Sequence, residues 1–342
     1  MYSIMETTTV QATMELALFS KNITNMMMFL KQYQLPVYAV PFIFGTTANV
    51  ILLIIIICNK DMRTVPNMYI LNLVISDIIY LTLSFSEASA NTVFYTWLVD
   101  EFMCTFVSFC RRMSVGLSAY SVALYSFQRY RVTVHPLQVC AFSPTKWLFT
   151  VATNFGLWIW AALFAVPSAL SKHFCELTHY SLGITYYHRV VIFELLLYCV
   201  LPLCVIAFSY IMTACHLVEK SLSISEWTQN SQLQTCRNSA KIVLGLTVVF
   251  MISYVPYHMF WTYYMWSKNI LLLTFKSKYD HPNYKLQYTY LISTCFLLFN
   301  PCLNPVALFC TSSQFRQNLK RYFTCFCKTN SPPTDPEVAR RN

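Results

Sequence analysis

Asp77 lies deep inside the second of seven long apolar runs in this 342-residue chain. An ionisable group at such depth in a bilayer is costly to hold and marks function by default. Arg111 and Arg112 stand side by side in the third run, and Glu87 lies towards the end of the second. A guanidinium at that depth suits a carboxylate or another anion. The alternative is an arginine that snorkels outward or pairs with Glu87, a reading that fits Arg112 better. The sequence offers no phosphate-binding loop, no metal-protease histidine pair and no Ser-His-Asp logic. No catalytic residue and no enzyme activity are expected.

These residues need a membrane scaffold. Apolar runs at about 36–58, 68–90, 103–130, 147–170, 188–217, 239–265 and 287–309 are long enough to cross as helices. The chain is 56% hydrophobic and 11% charged, with a mean hydropathy of +0.47, against about 25% charged residues in a soluble domain. The fold class is therefore an all-α membrane protein, one seven-transmembrane helix bundle rather than several domains. The first 35 residues are read as a tail with no cleavable signal peptide, and residues 219–238 as a short polar loop.

With the N-terminus outside, fourteen of the 24 lysines and arginines fall on the cytoplasmic side and eight outside, Arg111 and Arg112 being within a span. The positive-inside rule favours that orientation. A glycosylation sequon at Asn22 agrees with it. The net charge of +10 sits at span ends, where it meets anionic lipid rather than nucleic acid. Most of the fourteen cysteines, Cys199 and Cys302 among them, lie in apolar spans as small hydrophobes. Cys104 and Cys175 stand apart on the outer, oxidising side. Cys325 and Cys327 follow an amphipathic stretch just inside the membrane and read as palmitoylation sites or as unmodified thiols.

The punctuation of the spans carries a resemblance. Gly45-x-x-x-Asn49-Val50, Leu71-Asn72-Leu73 with Asp77, Ser126-Phe127-Gln128-Arg129-Tyr130 with Pro136-Leu137, Trp158 and Pro167, Pro202 and Tyr210, Pro256, Asn300-Pro301, Asn304-Pro305 and Phe315-Arg316 occur in order. Over roughly residues 36–327 the chain resembles a rhodopsin-like (class A) G-protein-coupled receptor. Ser114-Val115-Gly116-Leu117-Ser118 is similar to the bombesin and endothelin group of peptide receptors. The resemblance implies an extracellular tail over 1–35, a receptor bundle over 36–310, and a cytoplasmic eighth helix with the C-terminal tail over 311–342. It implies a plasma-membrane location and a Cys104–Cys175 disulfide pinning the second outer loop to span three.

It also assigns roles. Ser118, Asn300 and Asn304 converge on Asp77, with Asn49 nearby, as a sodium site; a hydrated polar plug is the alternative, and no other cofactor is expected. Arg111, Arg112, Glu87, Tyr254 and His258 line the ligand pocket. Arginine where aminergic receptors carry an acid disfavours an amine and points to a peptide, or to an acidic small molecule or lipid. Gln128, Arg129, Tyr130, Tyr210, Pro256, Pro305 and Leu308 form the switch towards a heterotrimeric G protein, with arrestin a further partner. Three of these switch motifs depart from the family. Gln128 replaces the acid that restrains Arg129, Tyr254 replaces the tryptophan of span six, and Leu308 replaces the tyrosine of span seven. A receptor-like decoy, scavenger or modulator with weak or no coupling is therefore the alternative function.

Overall fold

A computed structural model describes residues 35–93, 101–134, 144–170, 184–223, 226–274 and 284–329. These residues form helices throughout, broken only by short turns. In chain order they are α1 (Leu35–Cys58), α2 (Val65–Val93), α3 (Glu101–Val134) and α4 (Pro144–Leu170). Then follow α5 (Ile184–Leu195, continued through Leu196–Val200 into Leu201–Ser223), α6 (Glu226–Thr274), α7 (Tyr284–Thr311) and α8 (Ser313–Thr329).

Six of these helices, α1, α2 and α4 to α7, are long and apolar enough to cross a bilayer. α3 is 34 residues long but carries Arg111, Arg112 and Arg129. It is also the helix that packs on α2, α4, α5 and α6 together. A central helix meets protein rather than lipid on most sides, so its polar groups are answered inside the bundle. The outer helices show the converse: Phe44, Leu148, Phe155, Ile211 and Met259 are exposed, as a hydrocarbon solvent permits.

Two details differ from the sequence expectations. The polar stretch read as a loop over 219–238 is mostly helix, because α5 continues to Ser223 and α6 starts at Glu226. No glycine or proline interrupts residues 226–241, so nothing stops backbone hydrogen bonding from running past the apolar segment. α5 also contains a wider π turn over Leu196–Val200, closed by the Leu201 N–H on the Leu196 carbonyl. The next carbonyl, Leu197, would look five residues on to Pro202, which has no N–H. The Tyr120 hydroxyl of α3 donates to Leu197 O instead, at 2.8 Å.

The core divides into two apolar layers. One gathers Leu52, Ile70, Leu73, Leu246, Leu308 and Phe315. The other gathers Tyr80, Val115, Tyr198, Phe250, Tyr254 and Leu297. Along α2, α3 and α7, the residues Asp77, Ser118, Asn300 and Asn304 fall between the two. At the Leu308 end α8 turns off α7. The Phe315 N–H reaches the Ser312 hydroxyl at 3.4 Å, and Arg316 caps the Phe309 and Cys310 carbonyls at 2.9 and 2.6 Å.

Candidate functional site

The central polar layer is assembled by residues from four helices. Asp77 is 1% exposed. Its Oδ2 accepts the Asn304 amide at 2.9 Å and its Oδ1 the Ser118 hydroxyl at 3.4 Å. Asn300 is buried and lines a cavity of about 10 Å³ with Asp77, Ser114, Ser118 and Tyr254. That is room for about one water or small ion. Asn49 is tied elsewhere: its amide nitrogen donates to the Gly45 and Pro301 carbonyls at 2.9 and 2.8 Å, while its Oδ1 has no partner among the described residues. The Asp77 carboxylate, the Ser118 hydroxyl and the Asn300 side chain make an oxygen-rich set around the cavity, with Asn304 bonded to the carboxylate behind it, chemistry that fits a small hard cation.

One helical turn towards Cys104, Tyr254 spans the bundle. Its ring stacks on Phe250 with centroids 4.2 Å apart, and its hydroxyl donates to the Val115 carbonyl of α3 at 3.1 Å. The phenol thus ties α6 to α3 directly. His258, one turn further along α6, is 1% exposed and its Nε2 has no hydrogen-bond partner among the described residues. Its ring meets Tyr257 edge to face at 5.1 Å.

The two arginines of α3 reach different helices. Arg111 pairs with Glu87 of α2 and lies 6.0 Å from the Tyr80 ring centroid. Arg112 pairs with Glu194 of α5 at 3.2 Å. The partner of Glu87 is therefore Arg111, not Arg112, and Arg112 stays inside the bundle at 15% side-chain exposure. Successive residues of an α-helix point about 100° apart, so adjacent arginines do not share one neighbour. Glu194 is the functional-looking residue that the sequence reading passed over. An acid in the fifth apolar run carries the same signal that singled out Asp77.

At the other end of α3, Arg129 turns back on its own helix. Its Nε donates to the Tyr125 hydroxyl at 3.0 Å, and its guanidinium lies 5.0 Å from that ring's centroid. Gln128 is buried. Tyr130 meets Phe208 edge to face at 6.1 Å. Arg129, Tyr130 and the exposed Tyr210 line a cavity of about 140 Å³ between α3, α5 and α6. Pro256 and Pro305 lie inside α6 and α7. Leu308 is fully buried in the apolar layer with Leu246 and Phe315.

Cys104 is disulfide-bonded; Cys175 and Asn22 lie outside the described residues. Cys325 and Cys327 fall within α8.

Residues 48–308 match the family described as 7 transmembrane receptor (rhodopsin family). The chain is 29% identical over 312 residues to the neuropeptide CCHamide-1 receptor of Drosophila melanogaster, covering 86% of this chain and 60% of that protein. It is 28% identical over 313 residues to the [Phe13]-bombesin receptor of Bombina orientalis, covering 86% and 76%. It is 28% identical over 320 residues to bombesin receptor subtype-3 of Ovis aries, covering 88% and 76%.

Proposed function

The chain belongs to the rhodopsin family of seven-transmembrane receptors, and we propose that it senses an extracellular peptide and activates a heterotrimeric G protein at the plasma membrane. The observation that carries this reading is the joint one of sequence and site. The relatives named above are receptors for neuropeptides or bombesin-type peptides. The end of the bundle near Cys104 has a wall of charge pairs, Arg111–Glu87 and Arg112–Glu194. Paired charges offer donors and acceptors to a peptide's termini and backbone, and their arrangement discriminates between partners. No aminergic acid stands among them.

The Cys104 end faces outward in this reading, with the N-terminal tail and Asn22 on the same side. The sequence distribution of lysine and arginine supports it. Cys175 is the partner of Cys104, and Cys325 and Cys327 are acylated to hold α8 on the inner leaflet. Arrestin docks at the same inner end as the G protein.

A sodium ion would be held by Asp77, Ser118, Asn300 and Asn304, supplying positive charge at the Asp77 carboxylate. The protein's own contribution is to orient that carboxylate. Ser118 and Asn304 each hold one of its oxygens, so α2, α3 and α7 are tied at one point. Signal transfer then runs through Tyr254, which joins α6 to α3 within the same cavity wall. A ligand that displaces the outer half of α6, at His258, strains that hydroxyl bond and loosens α6 at Pro256, where the proline ring removes a backbone hydrogen bond. The inner half of α6 then opens the cavity at Arg129.

The test is a screen of peptide libraries against cells expressing the full chain, read by a G-protein dissociation sensor with an arrestin sensor in parallel. A peptide that drives G-protein dissociation supports the proposal. A peptide that binds and recruits arrestin without dissociation makes the protein a non-coupling receptor.

A further inference from the structure

We propose that the Arg112 guanidinium is a carboxylate-binding subsite of the ligand pocket that Glu194 fills while no ligand is present. The proposal deepens the peptide-receptor reading and rests on it for the identity of the pocket.

The geometry of the pair is that of a replaceable tie. Arg and a carboxylate often meet through two parallel hydrogen bonds. Glu194 instead divides its oxygens, Oε2 to Arg112 at 3.2 Å and Oε1 to the Ser168 hydroxyl of α4. One oxygen of the protein's own acid is therefore engaged by Ser168, whereas a ligand carboxylate approaching in the guanidinium plane can place both oxygens on Arg112. Glu194 does not become an unpartnered buried charge when it lets go, because Ser168 still donates to it. That lowers the penalty that normally makes breaking a buried pair so unfavourable.

The surroundings agree. Tyr257 of α6 stands within electrostatic reach of Arg112, and the His258 ring meets it edge to face at 5.1 Å. His258 Nε2 is buried with no partner among the described residues. A polar atom left so in a native fold calls for a ligand or a water. Arg112 stands close enough to His258 for its charge to act on the imidazole. The Arg111–Glu87 pair differs in being more exposed, at 21% and 15% against 15% and 3%.

Propionate and propionamide test the subsite, because they are the side chains of glutamate and glutamine without a backbone. The full chain is purified as wild type, Glu194→Ala, Glu194→Gln, and Glu194→Ala combined with Arg112→Gln, and the thermal midpoint is followed with each probe. In Glu194→Ala, propionate at about ten times its dissociation constant should raise the midpoint by roughly 3 °C. Propionamide should raise it by less than a third as much. The double variant should respond to neither, and wild type should respond weakly because Glu194 competes. Glu194→Gln keeps the shape and the Ser168 contact, and carries the same comparison if Glu194→Ala does not fold. Equal effects of the two probes in both single variants, or a propionate effect that survives in the double variant, overturn the proposal. The measurement uses neither agonist nor G protein, so a failed peptide screen and a failed subsite are separate results.

Discussion

Gly116 is where the account of α3 against α5 is most exposed to test. A Cβ added there would stand 2.8 Å from Cε1 of Tyr198. That ring is fully buried, and its hydroxyl is fixed on the Phe164 carbonyl at 2.9 Å. It cannot retreat without breaking that bond and disturbing the π turn that carries it. Three terms set the outcome for Gly116→Ala. Helix propensity favours alanine by about 0.5–1 kcal/mol. Overpacking costs about 1–3 kcal/mol, and a lost hydroxyl bond about 1 kcal/mol. The net is a destabilisation of about 1–3 kcal/mol. Gly156 of α4 provides the control, since a Cβ there meets nothing within 4 Å among the described residues. Gly156→Ala should therefore stabilise by about 0.5–1 kcal/mol. The assay is the thermal midpoint of the purified chain, in which each kcal/mol is worth about 2–4 °C. Tyr198→Leu added to Gly116→Ala should relieve part of the clash, so the two losses should fall short of additive. Shifts of the same sign at both glycines would refute the close-approach argument.

The altered switch positions separate by single reversions. Leu308→Tyr places a hydroxyl in an apolar layer where Leu308 is fully buried, disfavouring this packing by about 1–3 kcal/mol. Agonist-stimulated G-protein dissociation at matched surface expression should rise several-fold, and no change in either signal or midpoint would count against a switch role. Gln128→Asp should supply Arg129 with a charge and lower basal dissociation about fivefold, the effect of about 1 kcal/mol on a two-state balance; unchanged basal tone would mean Arg129 is held by Tyr125 alone. Cys104→Ala removes a native disulfide at a cost of about 2–5 kcal/mol and should sharply reduce surface expression, whereas normal expression would show the bond to be dispensable. Asp77→Asn should preserve folding and abolish any difference in agonist affinity between sodium and a large inert cation, and wild-type affinity that is identical in both would remove sodium from the account.

The fold was legible in the sequence because bilayer physics is strict. Seven apolar runs of sufficient length leave few arrangements, and the helices found centre on those runs. The Asp77 cluster was legible only through motif likeness. No local pattern says that Ser118 and Asn304 will meet Asp77 from two other helices, and Asn49 in fact turns to the Pro301 carbonyl. Helix ends were less legible, as α6 shows, because a polar segment without breakers gives no hydropathy signal where helix gives way to turn. The charge pairs were least legible. Which arginine meets which acid depends on the rotation of α3, and a shift of one residue turns a side chain by about 100°. Glu194 was visible as a letter in an apolar run, but its partner became visible only once α3 and α5 stood side by side. The π turn belongs to the same class: Pro202 predicts a missing donor, not that Tyr120 will supply one.

The central claim is that this bundle converts an extracellular peptide into G-protein activation despite Gln128, Tyr254 and Leu308. The most direct measurement is nucleotide exchange on purified heterotrimeric G proteins of each class, with the full-length receptor reconstituted in lipid nanodiscs and a panel of neuropeptides and bombesin-type peptides added one at a time. The account predicts that at least one peptide accelerates exchange on at least one G-protein class in a saturable manner, and that Arg129→Ala abolishes the acceleration while peptide binding persists. Saturable peptide binding with no acceleration on any G protein would contradict it.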